Sequence, residues 1–352
     1  MIEVDISNIW GSISLRDLLG LEKDVFQAHL ELNGENCPWM AASAVDGAML
    51  AAMAEEIRDC SQALVVLGGD GFAQGALELL GQQEGLEILF VPSGFSSAVR
   101  SRVLGQLEGK PFSICLCGEM RFWDTLLLRE LKWILERRFG TDEANARIHE
   151  DPWGLLVLTA GGLDGKALLD GIREAGETMD LRSYENPAWL YAAARHLLAR
   201  SNGERLIYEE PDFTGLGNWW QMLFGCGVPV TLCRRMEPAL CMGTGLDTML
   251  RFAGEEESSV ITETAGDPGQ VNFLAGRTLA QVAEGVWEGL LETDLDSGTP
   301  ALVIQCEKAG EAALGQLFWL FRLSAALCNR LEGRDSRGLE ERLLIHLGQP
   351  QE

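Results

Sequence analysis

Positive charge is scarce in this chain. Lys and Arg number 28 against 53 Asp and Glu, a formal net charge of −25. That balance argues against nucleic acid or an anionic membrane surface as partner, because both are held by clustered Lys and Arg. It also opposes a polyanionic ligand unless a local basic pocket exists, and no basic cluster in the sequence marks one. No apolar run reaches the roughly eighteen residues that span a bilayer. The opening "MIEVDISNIWGSISLRDLLG" lacks the basic start and apolar core of a secretory signal. Histidine is confined to His29, His149, His196 and His346, no two at metal-ligand spacing. Cys115 and Cys117 form a C-x-C with no second pair, so no structural zinc site is expected. The nine cysteines are odd in number and scattered. They fit reduced thiols in a cytoplasm rather than a disulfide framework.

What is present is the composition of a soluble globular protein, 47% apolar over 352 residues. That length suits two domains better than one small core. From Ala63 onward, apolar runs alternate with helical periodicity. "ALVVL", "LEILFVPS", "FSICLCG" and "GLLVLTAGG" read as strands, with helices from about Phe72, over Ser96–Glu108, over Asp124–Phe139 and after Gly162. The rhythm then restarts: a helix over Pro187–Arg200 with proline in its first turn, strand "ERLIYEEP", helix "NWWQMLFG" and strand "VPVTLCRR". Strand "ESSVITETA", helix Leu274–Thr293, strand "PALVIQCEK" and helix Glu311–Leu331 follow. Strands separated by helices predict right-handed crossovers and parallel sheets covered on both faces. The expected organisation is a helical lead-in over 1–60, α/β sandwich units over 61–180 and 181–331, and a tail over 332–352. In open parallel sheets ligands sit beyond the carboxyl ends of the strands. That singles out Gly68–Gly71, Ser93–Phe95, Cys117–Arg121, Thr159–Gly162 and Glu209–Pro211.

The order of these segments resembles one family. "LVVLGGDGFAQGALELL", "SICLCG" before "LLLRELKWILERRFG", "VLTAGGLDGKALLDGIREAG", "NPAWLYAAARHLLARSNG" and "NWWQMLFG" fall in the order found in phosphoglucose isomerases. "LAGRTLAQVAEGVWEGLLE", "ALGQLFWLFRLSAALCNRLEG" and "DSRGLEE" continue it, so that the match runs from about Ala63 to Glu341. The resemblance implies two sugar-isomerase (SIS) domains, each a three-layer α/β/α sandwich with a mainly parallel sheet. It further implies interconversion of glucose 6-phosphate and fructose 6-phosphate, no metal or organic cofactor, and a homodimer.

The family's catalytic residues do not carry over. Isomerisation through an enediol needs a base near neutral pH, a proton donor and cations beside the oxyanion. The family's Glu follows the Trp-containing helix, where "QMLFGCG" puts Cys226. Its His follows a Gly-Thr-Thr-Asp-Gln run, and "MGTGLDTML" puts Thr248 there. Its Arg follows two glycines before "LLVLT", where Gly154 stands. Its Lys closes the last motif, where Leu343 falls. The phosphate loop departs as well. The family's Ser-x-Ser-Gly and threonines become "CLCGEMRF": Cys115, Cys117 and Gly118 keep the turn, while Glu119, Met120 and Arg121 replace the threonines. Thiols are weak donors, and a carboxylate beside a phosphate costs about 1 kcal/mol or more even when screened. The first glycine turn has Asp70 where the family has Ser, between Gly68–Gly69 and Gly71.

Each feature also has a plain structural explanation. The glycine turn is a tight strand-to-helix connection, or a polyol site in which Asp70 accepts hydroxyl hydrogen bonds. Cys226 packs, or is a thiol nucleophile lowered by a helix end. His196 is a partly exposed polar residue of its helix, or a replacement base. Trp219 and Trp220 pack in a core or interface, or stack on sugar. Glu209 and Glu210 form a solvated strand end, or reach the cleft. Two functions stay open. One is a protein without ordinary isomerase activity that binds a carbohydrate, regulates or assembles. The other is an aldose–ketose isomerase on an altered sugar or sugar phosphate, with Asp70, Glu119, Glu209 or Asp247 as new acid–base groups.

Overall fold

The computed structural model describes residues 2–34, 37–69, 71–92, 96–118, 120, 122–208, 211–225, 229–234, 245–252, 259–267 and 269–333. The chain begins with strand β1 (Glu3–Asn8), then helices α1 (Leu15–Gly20), α2 (Glu22–Gly34) and α3 (Gly47–Cys60). A first α/β run follows: β2 (Ala63–Gly68), α4 (Phe72–Leu80), β3 (Glu87–Phe90), α5 (Ser97–Gln106), β4 (Phe112–Cys117), α6 (Phe122–Phe139), α7 (Thr141–Ala146) and β5 (Ile148–Glu150). Three helices lead onward, α8 (Leu155–Ala160), α9 (Gly165–Thr178) and α10 (Pro187–Asn202). The second run is β6 (Glu204–Tyr208), α11 (Thr214–Phe224), β7 (Val230–Arg234), β8 (Leu246–Phe252), α12 (Leu279–Ser297), β9 (Ala301–Cys306) and α13 (Glu311–Leu331).

Two sheets result. The first has the order β3-β2-β4-β5, parallel throughout, with Ala63 beside both Glu87 and Phe112 in the register. The second has the order β1-β9-β8-β6-β7 and is parallel except at its edge, where β1 runs antiparallel to β9. Strand β2 shows why: five consecutive residues, Ala63–Leu67, are buried. Such a run suits a strand covered on both faces rather than one facing water. A large core joins β2, β4, β6, β8 and β9 to α8–α11 and α13, and smaller cores lie under α5 and α6 and under α12. The mixed α/β class with mainly parallel sheets, expected from the alternation, is the one observed.

Four local expectations are corrected. The lead-in is not wholly helical, because β1 joins the second sheet. Its residues alternate between exposed Glu3, Asp5, Ser7 and half-buried Val4, Ile6, Asn8, the period of an edge strand. "GLLVLTAGG" is helix α8, buried on every side from Leu155 to Ala160. A short run apolar all round looks the same in a buried helix and a buried strand; the sheet's fourth strand is instead the three residues of β5. In "ESSVITETA" the described part makes one isolated bridge, Val260 to Thr278. The central strand β8, by contrast, came out of "GLDTML". Its Asp247 and Thr248 hid it, and both are buried and bonded inside the sheet.

Candidate ligand-binding site

A cavity of about 720 Å³ opens where β2 and β4 end, the carboxyl edge at which parallel sheets take their ligands. One wall is made of short loops. Gly68 and Gly69 end β2, Gly71 starts α4, and Cys117 and Gly118 end β4. Pro152, Trp153 and Gly154 lead into α8. The facing wall is helical, with Met222 and Leu223 at the end of α11 and Arg322, Ala325, Ala326 and Asn329 along α13. Trp39 and Phe90 complete the rim, and Gln74 adds an amide from α4.

The loops are held together by backbone contacts. Gly68, Gly69, Gly71 and Gly118 all have positive φ. A Cβ on Gly69 would stand 3.2 Å from Cys117 Cβ, and one on Gly118 3.5 Å from Gly69 Cα, so the two turns touch. Gly118 N–H donates to the Pro152 carbonyl at 3.2 Å, and Asp151 N–H donates to the Leu116 carbonyl at 2.9 Å. Asp151 anchors the third loop. It is buried, and its Oδ2 accepts from Val157 N–H at 2.9 Å at the start of α8. Burial pushes the Asp151 carboxyl up to about 6, while the N–H groups of Val157, Leu156, Leu155 and Gly154 pull the other way. The Cys117 thiol lies 4.0 Å from the same carboxylate oxygen.

Gly154 is the most telling position. It has φ +78°, and a Cβ there would come within 2.8 Å of Ala73 Cβ. A side chain is therefore barred twice, by the left-handed backbone and by the packed helix α4. Where the resemblance places the family's arginine, this backbone accepts only glycine.

Of the residues singled out in the sequence, Gly68, Gly69, Gly71, Cys117, Gly118 and Gly154 meet at this cavity. Cys115 does not line it; it is buried within β4, where burial raises its thiol well above the usual range. Thr248 is also elsewhere. It lies in the second sheet near the amino end of β8, fully buried, and its hydroxyl donates to Glu204 Oε1 at 2.6 Å. Tyr191 donates to that same oxygen at 2.8 Å, and Arg195 Nε donates to Oε2 at 2.5 Å. Asp247 is paired with Arg205 on the opposite face of the same sheet, with Asp294 of α12 close by. Burial and the neighbouring Asp247 charge push the Asp294 carboxyl up to about 7. Thr248, Glu204, Tyr191 and Arg195 form a buried polar cluster between the second sheet and α10. Thr159–Gly162, expected at a strand end, lie instead at the far end of α8. His196 is buried, not partly exposed, and Trp219 and Trp220 are core residues. Asp70, Glu119, Arg121, Glu209, Glu210, Cys226 and Leu343 lie outside the described residues, as do Ser93–Phe95.

The α13 wall escaped sequence reasoning. Arg322, Ala325, Ala326 and Asn329 recur at intervals of three, four and seven in a helix otherwise rich in Leu, Phe and Trp. That break in an apolar pattern was the available signal. Trp39, packed edge-on to Trp319 at 5.2 Å, had no such signal.

No protein-family model matches the chain. Among curated proteins, it is 24% identical to a glucose-6-phosphate isomerase of Staphylococcus saprophyticus, over 78% of this chain and 76% of that protein. It is 25% identical to one of Bacillus cereus, over 84% of this chain and 82% of that protein. Among solved structures, a hypothetical protein from Thermus thermophilus superposes with a TM-score of 0.79 at 17% identity, covering 99% of this chain and 100% of that one. A glucose-6-phosphate isomerase from Chlamydia trachomatis gives 0.71 at 10% identity, covering 99% and 88%. No helix among the described residues is long and apolar enough to cross a membrane. The resemblance read from the ordered motifs therefore holds: over most of its length this chain is similar to glucose-6-phosphate isomerases, and it shares the α/β fold of the one from Chlamydia trachomatis.

Proposed function

We propose that this phosphoglucose-isomerase-like protein binds a carbohydrate in the cavity at the end of the first sheet and does not catalyse the family's isomerisation. Gly154 carries the reading. A cation beside the developing oxyanion is part of enediol chemistry, and position 154 has no room for one. Thr248, at the position read as the family's histidine, is bonded into a core away from the cavity. The sequence adds Cys226 and Leu343 at the positions read as its base and its lysine. Retained glycine turns, with Trp39, Phe90 and Trp153 among the lining, keep a concave, partly apolar site of ligand size. With this reading go a cytoplasmic location, a homodimer, and α/β units over 61–180 and 181–331.

The test is a coupled assay of glucose 6-phosphate and fructose 6-phosphate interconversion with the purified chain, beside a thermal-shift screen of neutral and phosphorylated sugars. No turnover above background is expected, with stabilisation by a neutral sugar. Turnover at an enzyme-like rate, on the order of 1 per second or more, abolished by changing one cavity residue, would refute the reading.

A further inference from the structure

A second concavity, of about 630 Å³, lies at the amino end of the first sheet. Phe112, which opens β4, lines it, whereas Cys117, which closes β4, lines the cavity described above. Five steps of strand, roughly 17 Å, separate the two residues. The groove runs between the end of α5 and the end of α6. Buried Leu107 and Phe112, with half-buried Leu104 and Ile134, make its lining apolar. Gly105 and Gly109 leave it open on the α5 side, because a Cβ on either would meet nothing within 4 Å.

The α6 side carries the charge. Trp133 is 56% exposed, a large indole left in water beside an apolar groove. One helical turn on, the Arg137 guanidinium lies 5.1 Å from its ring centroid, a contact that fixes the guanidinium plane. Arg138 donates to the Lys110 carbonyl, which holds it at the same end of the groove. Neither arginine has a carboxylate partner among the described residues, in a chain of net charge −25. Acids nearby are committed elsewhere: Glu87 to Lys110, Glu130 to Arg100 and Glu143 to Arg147. The lining itself holds one acid, Glu108, and the carboxyl end of α6 adds about half a negative charge. Two guanidinium charges outweigh both.

We propose that this groove binds a flat aromatic monoanion, its rings laid against Trp133 and the leucines and its carboxylate held by Arg137 and Arg138. The exposed indole and the apolar lining gain from covering by a ring system. A guanidinium of fixed plane is a bidentate partner for a carboxylate. A groove open along one side covers a plate well, whereas an acyl chain would leave much of its circumference in water. The small local excess of positive charge matches one negative charge rather than two. This site is independent of carbohydrate binding at the other end of the sheet.

Isothermal titration of the full chain with 2-naphthoate, 2-naphthamide and octanoate tests this. The first two share a ring system and differ in charge, and octanoate keeps the charge on an acyl chain. 2-Naphthoate is expected to bind about fivefold more tightly than the amide, with the ratio narrowing as salt rises. Arg137→Gln should reduce that preference, and Trp133→Ala should weaken both aromatic ligands about tenfold. Gly105→Leu fills open space on a helix and replaces a poor helix former; it should weaken both aromatic ligands without lowering Tm. Equal affinity for 2-naphthoate and 2-naphthamide would overturn the proposal, as would tighter binding of octanoate than of 2-naphthoate. So would no binding of 2-naphthoate at millimolar concentration, or an affinity untouched by both Trp133→Ala and Gly105→Leu. All three substituted positions are exposed; should one variant nevertheless not fold, the other two and the salt series on the natural chain decide the matter.

Discussion

Asp151 makes the structure testable through pH. Its carboxyl is pushed from the usual 3.8 up to about 6, chiefly by burial, although backbone donors at the start of α8 favour the ionised form. A pKa raised in the folded state means that the fold prefers the protonated acid. The associated stability is complete below the unfolded value near 4 and is lost as pH rises to about 6. Roughly two pH units at about 1.4 kcal/mol each put that loss at about 3 kcal/mol. Asp151→Asn keeps an oxygen for the Val157 N–H and removes the ionisation. The difference in unfolding free energy between Asp151→Asn and the natural chain should therefore shift in favour of the variant by about 3 kcal/mol between pH 4 and pH 7. Urea denaturation at half-unit pH steps measures it. The amide's extra N–H donor adds an offset independent of pH, so the slope of the difference is the readout. A difference that stays flat across that range would show that the N–H donors fully offset burial, and that the loop at Pro152–Gly154 is anchored by an ordinary carboxylate.

Three further outcomes follow from the packing. Gly154→Arg, which restores the family's residue in name, should cost roughly 2–5 kcal/mol in denaturant unfolding from left-handed backbone strain and the Ala73 clash. It should confer no isomerase activity; a stable and active variant would show that the backbone yields there. Thr248→Val removes a donor from buried Glu204 and should destabilise by about 1–3 kcal/mol. Ligand affinity should be unchanged, and a loss of affinity at unchanged stability would put Thr248 back at the site. Buried His29 accepts from Trp189 Nε1 through Nδ1 at 2.9 Å, and burial lowers its pKa from the usual 6.5. The unfolded chain thus takes up the proton first, and stability should decline as pH falls from about 6.5 through the lowered folded value. Unfolding followed by tryptophan fluorescence should show the stability of the natural chain falling relative to that of His29→Gln as pH drops through this range; a difference that does not change with pH would refute it.

The sequence by itself determined the class of this fold and much of one wall of its cavity. Runs such as Ala63–Leu67 and Phe112–Cys117 are apolar because they are covered on both faces, and the glycines after them announce turns. Their order along the chain carried the resemblance to the isomerases. Periodicity could not separate α8 from a strand, because a six-residue helix buried all round shows no polar face. Nor could it find β8, whose buried Asp247 and Thr248 read as surface residues until Arg205 and Glu204 are placed beside them. Only the tertiary structure decided which residues share the cavity. Arg322 is far from Gly118 in the sequence, and both line the cavity because α13, packed on α9 and α10, also reaches α4. Spacing along a chain records neighbours on one element; contacts between distant elements are set by packing, which local pattern does not encode.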